Sequence, residues 1–190
     1  MKIKGNTLIA AGIIMIAGAI GLESKNIEEN IRASQASQQV MEVMEKETVP
    51  PDAGLIIEPN ETPVRRINGE NYLGILRIPS LELELPVILE WSEARLKTAP
   101  CRYYGSADSD NLILMAHNYQ SHFGKIKKLV AGEQVSFTDM EGKLFLYQVT
   151  EITVLKPESR EELLKGDWDL SLFTCTGDGK ARVVVRCQKG

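Results

Sequence analysis

The most reactive side chain of this 190-residue chain lies near its end. Cys175 closes an apolar run, residues 170–175, and Arg182 opens another, residues 182–187. Between them Gly177-Asp178-Gly179 reads as a tight turn, because glycine takes positive φ without a Cβ clash. The pair of runs predicts a β-hairpin. Alternation assigns Ser171, Phe173 and Cys175 to one face of its first strand, with Leu170, Leu172 and Thr174 on the other. On the second strand Arg182, Val184 and Arg186 share a face opposite Val183, Val185 and Cys187. A thiol and a guanidinium thus meet across a short turn. The thiolate is the reactive form of cysteine, and an adjacent cation favours it. Arg182 has two jobs open to it: donating hydrogen bonds to an oxyanion, or holding a substrate chain. Thr174, beside the thiol, is the candidate to offer substrate a hydroxyl.

A cysteine nucleophile needs an acid–base partner. His117 follows a continuous apolar run, residues 111–116, where a buried strand would emerge into a polar loop. A histidine held by a rigid element is well placed to move protons. His122, beside Phe123, is the rival. Taken singly, each residue has a plainer reading, as a surface-loop histidine or a buried structural cysteine. Cys187, on the inward face, reads as structural and Cys101, beside Pro100, as a loop residue. The sequence leaves open whether these two form a disulfide or stay free. Arg186 reads as a solvated ion-pair partner, and Asp178 as part of the turn. The three cysteines lack CxxC spacing and two histidines are few for zinc, so no metal or cofactor is expected.

The elements that must position these groups are mostly strands. Residues 72–78, 81–89, 111–116, 134–138 and 143–153 read as strands before the closing hairpin. The run 81–89 alternates strictly up to Pro86, which predicts one wet face, with an edge or bulge at the proline. Residues 92–97, with Ser92 as N-cap, and 157–165 read as short helices, and Phe123, Ile126, Lys127 and Val130 have helical spacing. Many short strands with few helices predict a closed antiparallel or mixed β-barrel rather than α/β layers.

The string Ser171-Leu172-Phe173-Thr174-Cys175, followed after a turn by Arg182 and a run of valines, resembles the active-site signature of the sortases. These are membrane-anchored cysteine transpeptidases of Gram-positive bacteria. Ser171 stands where the family usually has threonine, and keeps the hydroxyl. Met115-Ala116-His117-Asn118 is similar to the sortase histidine motif, with Ala116 in place of the usual glycine. The resemblance implies an eight-stranded β-barrel with short helices, and His117, Cys175 and Arg182 as catalytic residues. It implies cleavage of an LPxTG-like C-terminal sorting signal on surface proteins or pilins, through a thioester on Cys175. The acceptor would be an amine, from a peptidoglycan precursor or a pilin lysine. Two other readings stand beside it: an exported cysteine endopeptidase or hydrolase using the same site, and a non-enzymatic wall-associated binding module. The net charge of −4 argues against nucleic acid as a partner.

The N-terminus points to export. Lys2 and Lys4 precede residues 7–22, sixteen positions without a charge. As a helix this run spans roughly 24 Å, workable for a bilayer with snorkelling lysines. The lysines would place the N-terminus in the cytoplasm and the rest outside, at the cell membrane. A cleaved signal peptide, with Ala17-Gly18-Ala19 as its cleavage site, and a buried helix are the competing readings. Residues 24–47 form a polar stretch with a sparse stripe at Ile27, Ile31, Val40 and Val43/Met44, read as a stalk helix docking weakly. Residues 48–63 gather prolines and read as a linker. The expected layout is a membrane helix over 1–22, stalk and linker over 23–66, and a catalytic barrel over 67–190.

Overall fold

Apolar residues at every second position need a closed surface to bury them, and the chain supplies one. The computed structural model describes residues 5–46, 55–56 and 63–190. A helix α1, Gly5–Lys46, comes first, followed by β1, Leu55–Ile56, and β2, Val64–Ile67. Then come β3, Glu70–Ile78, β4, Leu83–Ile88, and the short helix α2, Glu93–Leu96. Strands β5, Cys101–Tyr104, and β6, Leu112–Met115, lead to a 3-10 turn at Phe123–Lys128. Strands β7, Gln134–Asp139, and β8, Leu144–Leu155, precede α3, Arg160–Leu164. The closing hairpin is β9, Leu170–Cys175, and β10, Arg182–Lys189.

The sheet runs β3-β4-β5-β6-β9-β10-β8-β7, and β7 pairs back onto β3, closing eight strands into a barrel. The small strands β1 and β2 extend it from the start of β3. Most pairs are antiparallel, but β6 runs parallel to β9 in the register Leu112↔Leu170 to Met115↔Phe173. The closure is tight at Gly74, where an added Cβ would lie 2.2 Å from the Thr138 carbonyl oxygen. Inside are Leu76, Leu85, Leu112, Leu114, Phe137, Tyr147, Leu172, Val185 and Cys187. Each fully buried aliphatic or aromatic side chain there contributes about 1.5–3 kcal/mol.

Two smaller clusters lie outside the barrel. Ile113, Leu163, Phe173 and Val184 pack under α3. Val40 of α1 packs with Ile67, Tyr72, Ile88, Leu96, Ala99 and Cys101. This second cluster corrects three expectations. Residue 101 opens a strand, β5, rather than sitting in a loop. The outer face of β4 is wet at Glu84 but dry at Pro86 and Ile88. The stalk docks firmly, through Ala33, Ser37, Val40 and Met41, whereas Ile27 and Ile31 remain about half exposed. Small side chains at four-residue spacing let the helix approach closely, and a stripe drawn only from large apolar residues passes over them. Pro86 opposes Ile75 of β3, while β4 meets β5 only at Ile88↔Cys101, so no β5 ladder partner calls for an N–H at residue 86.

The membrane-spanning helix expected over residues 1–22 is not supported: among the described residues no helix is long and apolar enough to cross a membrane. The uncharged run stops at Leu22, and α1 continues unbroken through Glu23 and Lys25. Ile9, Ile13, Ile14, Met15, Ile16, Ile20 and Leu22 are exposed. Lys2 and Lys4 lie outside the described residues, as does most of the expected linker.

Candidate active site

The hairpin forms as its residues dictate. The turn is closed by Thr176 N donating to Ala181 O at 2.8 Å, with Gly179 at φ 70°. Asp178 accepts from the Thr176 hydroxyl and from Lys180 N, and these bonds hold its carboxyl below the usual carboxylate range. Asp178 is turn chemistry. In the ladder Cys175 stands directly opposite Arg182. Such cross-strand neighbours carry their side chains on one face, with Cβ atoms about 4.5–5.5 Å apart.

Alternation then decides which way the site faces. Leu170, Leu172, Val183, Val185 and Cys187 fill the barrel. Phe173 and Val184 lie on its outside, so Cys175 and Arg182 do too. On the neighbouring strand Leu112, Leu114 and Ala116 point inward, which sends His117 outward. The parallel register continues past Met115↔Phe173, because Ala116 N donates to Phe173 O at 3.2 Å. One step further brings residue 117 level with residue 175. Thr174 secures this junction: its buried hydroxyl donates to the Ala116 carbonyl at 2.8 Å. Cys175 therefore lies on the middle of three adjacent strands, with the histidine strand on one side and the arginine strand on the other.

The side chains differ in their surroundings. Cys175 is exposed, whereas Cys101 and Cys187 are buried, and all three are free thiols. Burial pushes the Cys101 and Cys187 thiols up to about 12, so neither is a nucleophile at neutral pH. The Arg182 guanidinium lies over the Phe173 ring, 5.6 Å from its centroid, and Tyr103 meets the same ring edge-on at 5.2 Å. A cation over an aromatic face within about 6 Å is held by the ring quadrupole. A cavity of about 70 Å³ beside Cys175 is bounded by Asn118, Phe123, Lys127, Thr174, Gly177 and Val183.

His117 is half-buried, with its Nε2 buried and without a hydrogen-bond partner. Burial lowers its pKa, Glu93 and Glu29 oppose that shift, and Lys97 adds to it. Its ring lies 5.0 Å from that of Tyr119, which lies 5.6 Å from that of His122. His122 is wholly buried and is held down to about 4, first by desolvation and then by the neighbouring His117. It sits behind the site, not in a solvent loop.

Arg186 departs from expectation. It is buried rather than solvated, and donates to Leu163 O at 2.8 Å, Glu162 O at 2.8 Å and the Ser171 hydroxyl at 2.9 Å. The last carbonyls of a helix have no partner within it, and here the guanidinium supplies one for α3. Ser171 shares that bond. Among the described residues no group of three or more His, Cys, Asp or Glu could hold a metal ion.

A closed barrel with an exposed thiol between a histidine strand and an arginine strand defines the class: a β-barrel that carries a free, exposed cysteine on its outer face. The sortase domain family matches residues 76–190, and the chain belongs to that family. It is 28% identical to sortase A of Bacillus anthracis over 171 residues, 85% of this chain and 79% of that protein. Among solved structures, sortase C1 from Streptococcus agalactiae is 27% identical with a TM-score of 0.57, covering 66% of this chain and 70% of the other. Sortase C of Streptococcus pneumoniae shares the fold at 18% identity, with a TM-score of 0.57 over 86% of this chain and 89% of its own.

Proposed function

We propose that the protein is a cysteine transpeptidase that cleaves an LPxTG-like signal near the C-terminus of surface proteins or pilins and joins them to an amine. The observation that carries this reading is the exposed Cys175 facing Arg182 across the ladder, on the face to which His117 projects. Burial disfavours the imidazolium, so His117 is a neutral imidazole free to accept a proton. Cys175 Sγ attacks the carbonyl before the scissile bond while His117 takes the thiol proton. Arg182 leaves the Phe173 face to donate to the oxyanion. The tetrahedral intermediate collapses, the C–N bond breaks, and His117 returns the proton to the leaving amine. This leaves a thioester. An acceptor amine attacks it, gives a proton to His117, and the thiol is regenerated. The acceptor is an amine of a cell-wall precursor or a pilin lysine.

Thr174 serves the site by locking β9 to the end of β6, and its place in the cavity wall leaves it within reach of a bound peptide. The exposed apolar side chains from Ile9 to Leu22 support a place for the enzyme at the membrane surface, where exported substrates emerge. The test is intact mass of the full chain mixed with sorting-signal peptides. An adduct equal to the peptide's N-terminal part, absent in Cys175→Ala and discharged by added amine, is the expected result. Arg182→Ala should slow its formation by about 10²–10³. An adduct that water alone discharges, with amine never incorporated, would overturn transfer in favour of hydrolysis.

A further inference from the structure

The loop that carries His117 bonds outward to α1. Gln120 N donates to Asn30 Oδ1 at 2.6 Å, and the Ser121 hydroxyl donates to Asn30 O at 3.3 Å. Two turns further along the same helical face, Ser37 Oγ donates to Thr98 O at 2.6 Å and lies 3.2 Å from His122 Nε2. A carbonyl can only accept, so the Ser37 proton is committed to Thr98. Toward His122 the hydroxyl oxygen then accepts, which assigns the imidazole proton to Nε2, while Nδ1 has no hydrogen-bond partner. The rings continue the line from His122 to Tyr119 to His117. Within the loop, His122 N and Gly124 N both donate to Tyr119 O, and Phe123 N donates to His117 O. The loop is thus a tight knot that leans on α1 through Asn30 and Ser37.

We propose that α1 is a working part of the active site, with Ser37 and Asn30 as positioning residues that hold His117 through His122, Tyr119 and the Gln120–Ser121 backbone. This rests on the transpeptidase reading for its kinetic consequence, not for its structural one. A histidine that must take a proton from one side and return it to another needs its ring fixed, and small displacements cost large factors in rate. The charged groups that face His117 come from two helices, Glu29 of α1 and Glu93 and Lys97 at α2. Loosening α1 therefore also removes one carboxylate from the imidazole.

The experiment uses the full chain with Ser37→Ala, Ser37→Thr and Asn30→Ala, and Gln39→Ala on the exposed side of α1 as control. Two readouts are taken: steady-state transfer with a sorting-signal peptide, and the NMR titration of the His117 ring. Ser37→Ala and Asn30→Ala should each lower kcat by about 10- to 100-fold with KM little changed, and shift the His117 midpoint. Ser37→Thr, which keeps the hydroxyl, should recover most of the rate, and Gln39→Ala should match the parent. Folded Ser37→Ala or Asn30→Ala protein with parental kcat and an unmoved His117 titration would overturn the proposal, even if its melting temperature fell. If Ser37→Ala does not fold, Asn30→Ala, at the surface, decides. A parent chain that transfers no peptide refutes the transpeptidase reading alone, since the titration still reports whether α1 sets His117.

Discussion

Acid should destabilise this protein through His122. Its imidazole is fully buried and its folded-state pKa is about 4, against an ordinary value of 6.5. As pH falls, the unfolded chain binds the proton first, so the stability is complete above about 6.5 and is lost on the way to about 4. One pKa unit is worth about 1.36 kcal/mol, and with the folded group half-titrated at pH 4 the loss there is about 3 kcal/mol. For a chain of this size that is roughly 6–12 °C of melting temperature. Carboxylates also titrate below pH 5, so the assay is a comparison. His122→Gln places an amide NH₂ where Nε2–H stands, keeps the bond to Ser37 and cannot titrate. Thermal and urea melts of both proteins at pH 7, 6, 5 and 4 should show the parent losing about 3 kcal/mol more than the variant. Parallel losses would refute the reasoning, because they would mean that His122 titrates no differently folded than unfolded.

Three further outcomes follow from the geometry. A thiol reagent should label one cysteine, Cys175, in the native protein and three after denaturation, because Cys101 and Cys187 are buried and held at about 12; fast native labelling of a second thiol would contradict the packing. Arg186→Met strands two carbonyls at the end of α3 and the Ser171 hydroxyl, and should cost about 2–3 kcal/mol in a denaturation curve. Gly74→Ala drives a Cβ to 2.2 Å from Thr138 O where the barrel closes, and should cost about 2–3 kcal/mol or more, read as a lowered melting temperature.

Much of the barrel was legible because a strand's two faces follow from residue parity alone. Parity put Phe173 with Cys175 on one face and Leu172 on the other, and set Cys187 and Val185 on an inward face, as the packing has them. The hairpin turn and the Ser92 cap, which accepts from Arg95 N at 3.1 Å, are local hydrogen-bond patterns and were equally readable. What parity cannot state is which strands become neighbours. The parallel pairing of β6 with β9, which sets His117 level with Cys175, joins segments far apart in the chain and depends on the whole barrel closing. Arg186 looked like any strand arginine until α3 folded over it and offered carbonyls with no other donor. His122 looked like a loop residue until α1 covered it. The sequence by itself determined which residues are candidates for the chemistry and the faces they occupy, since both are properties of short stretches of chain. Tertiary structure alone decided which polar groups are buried, and with whom, because burial is a property of everything that packs around them.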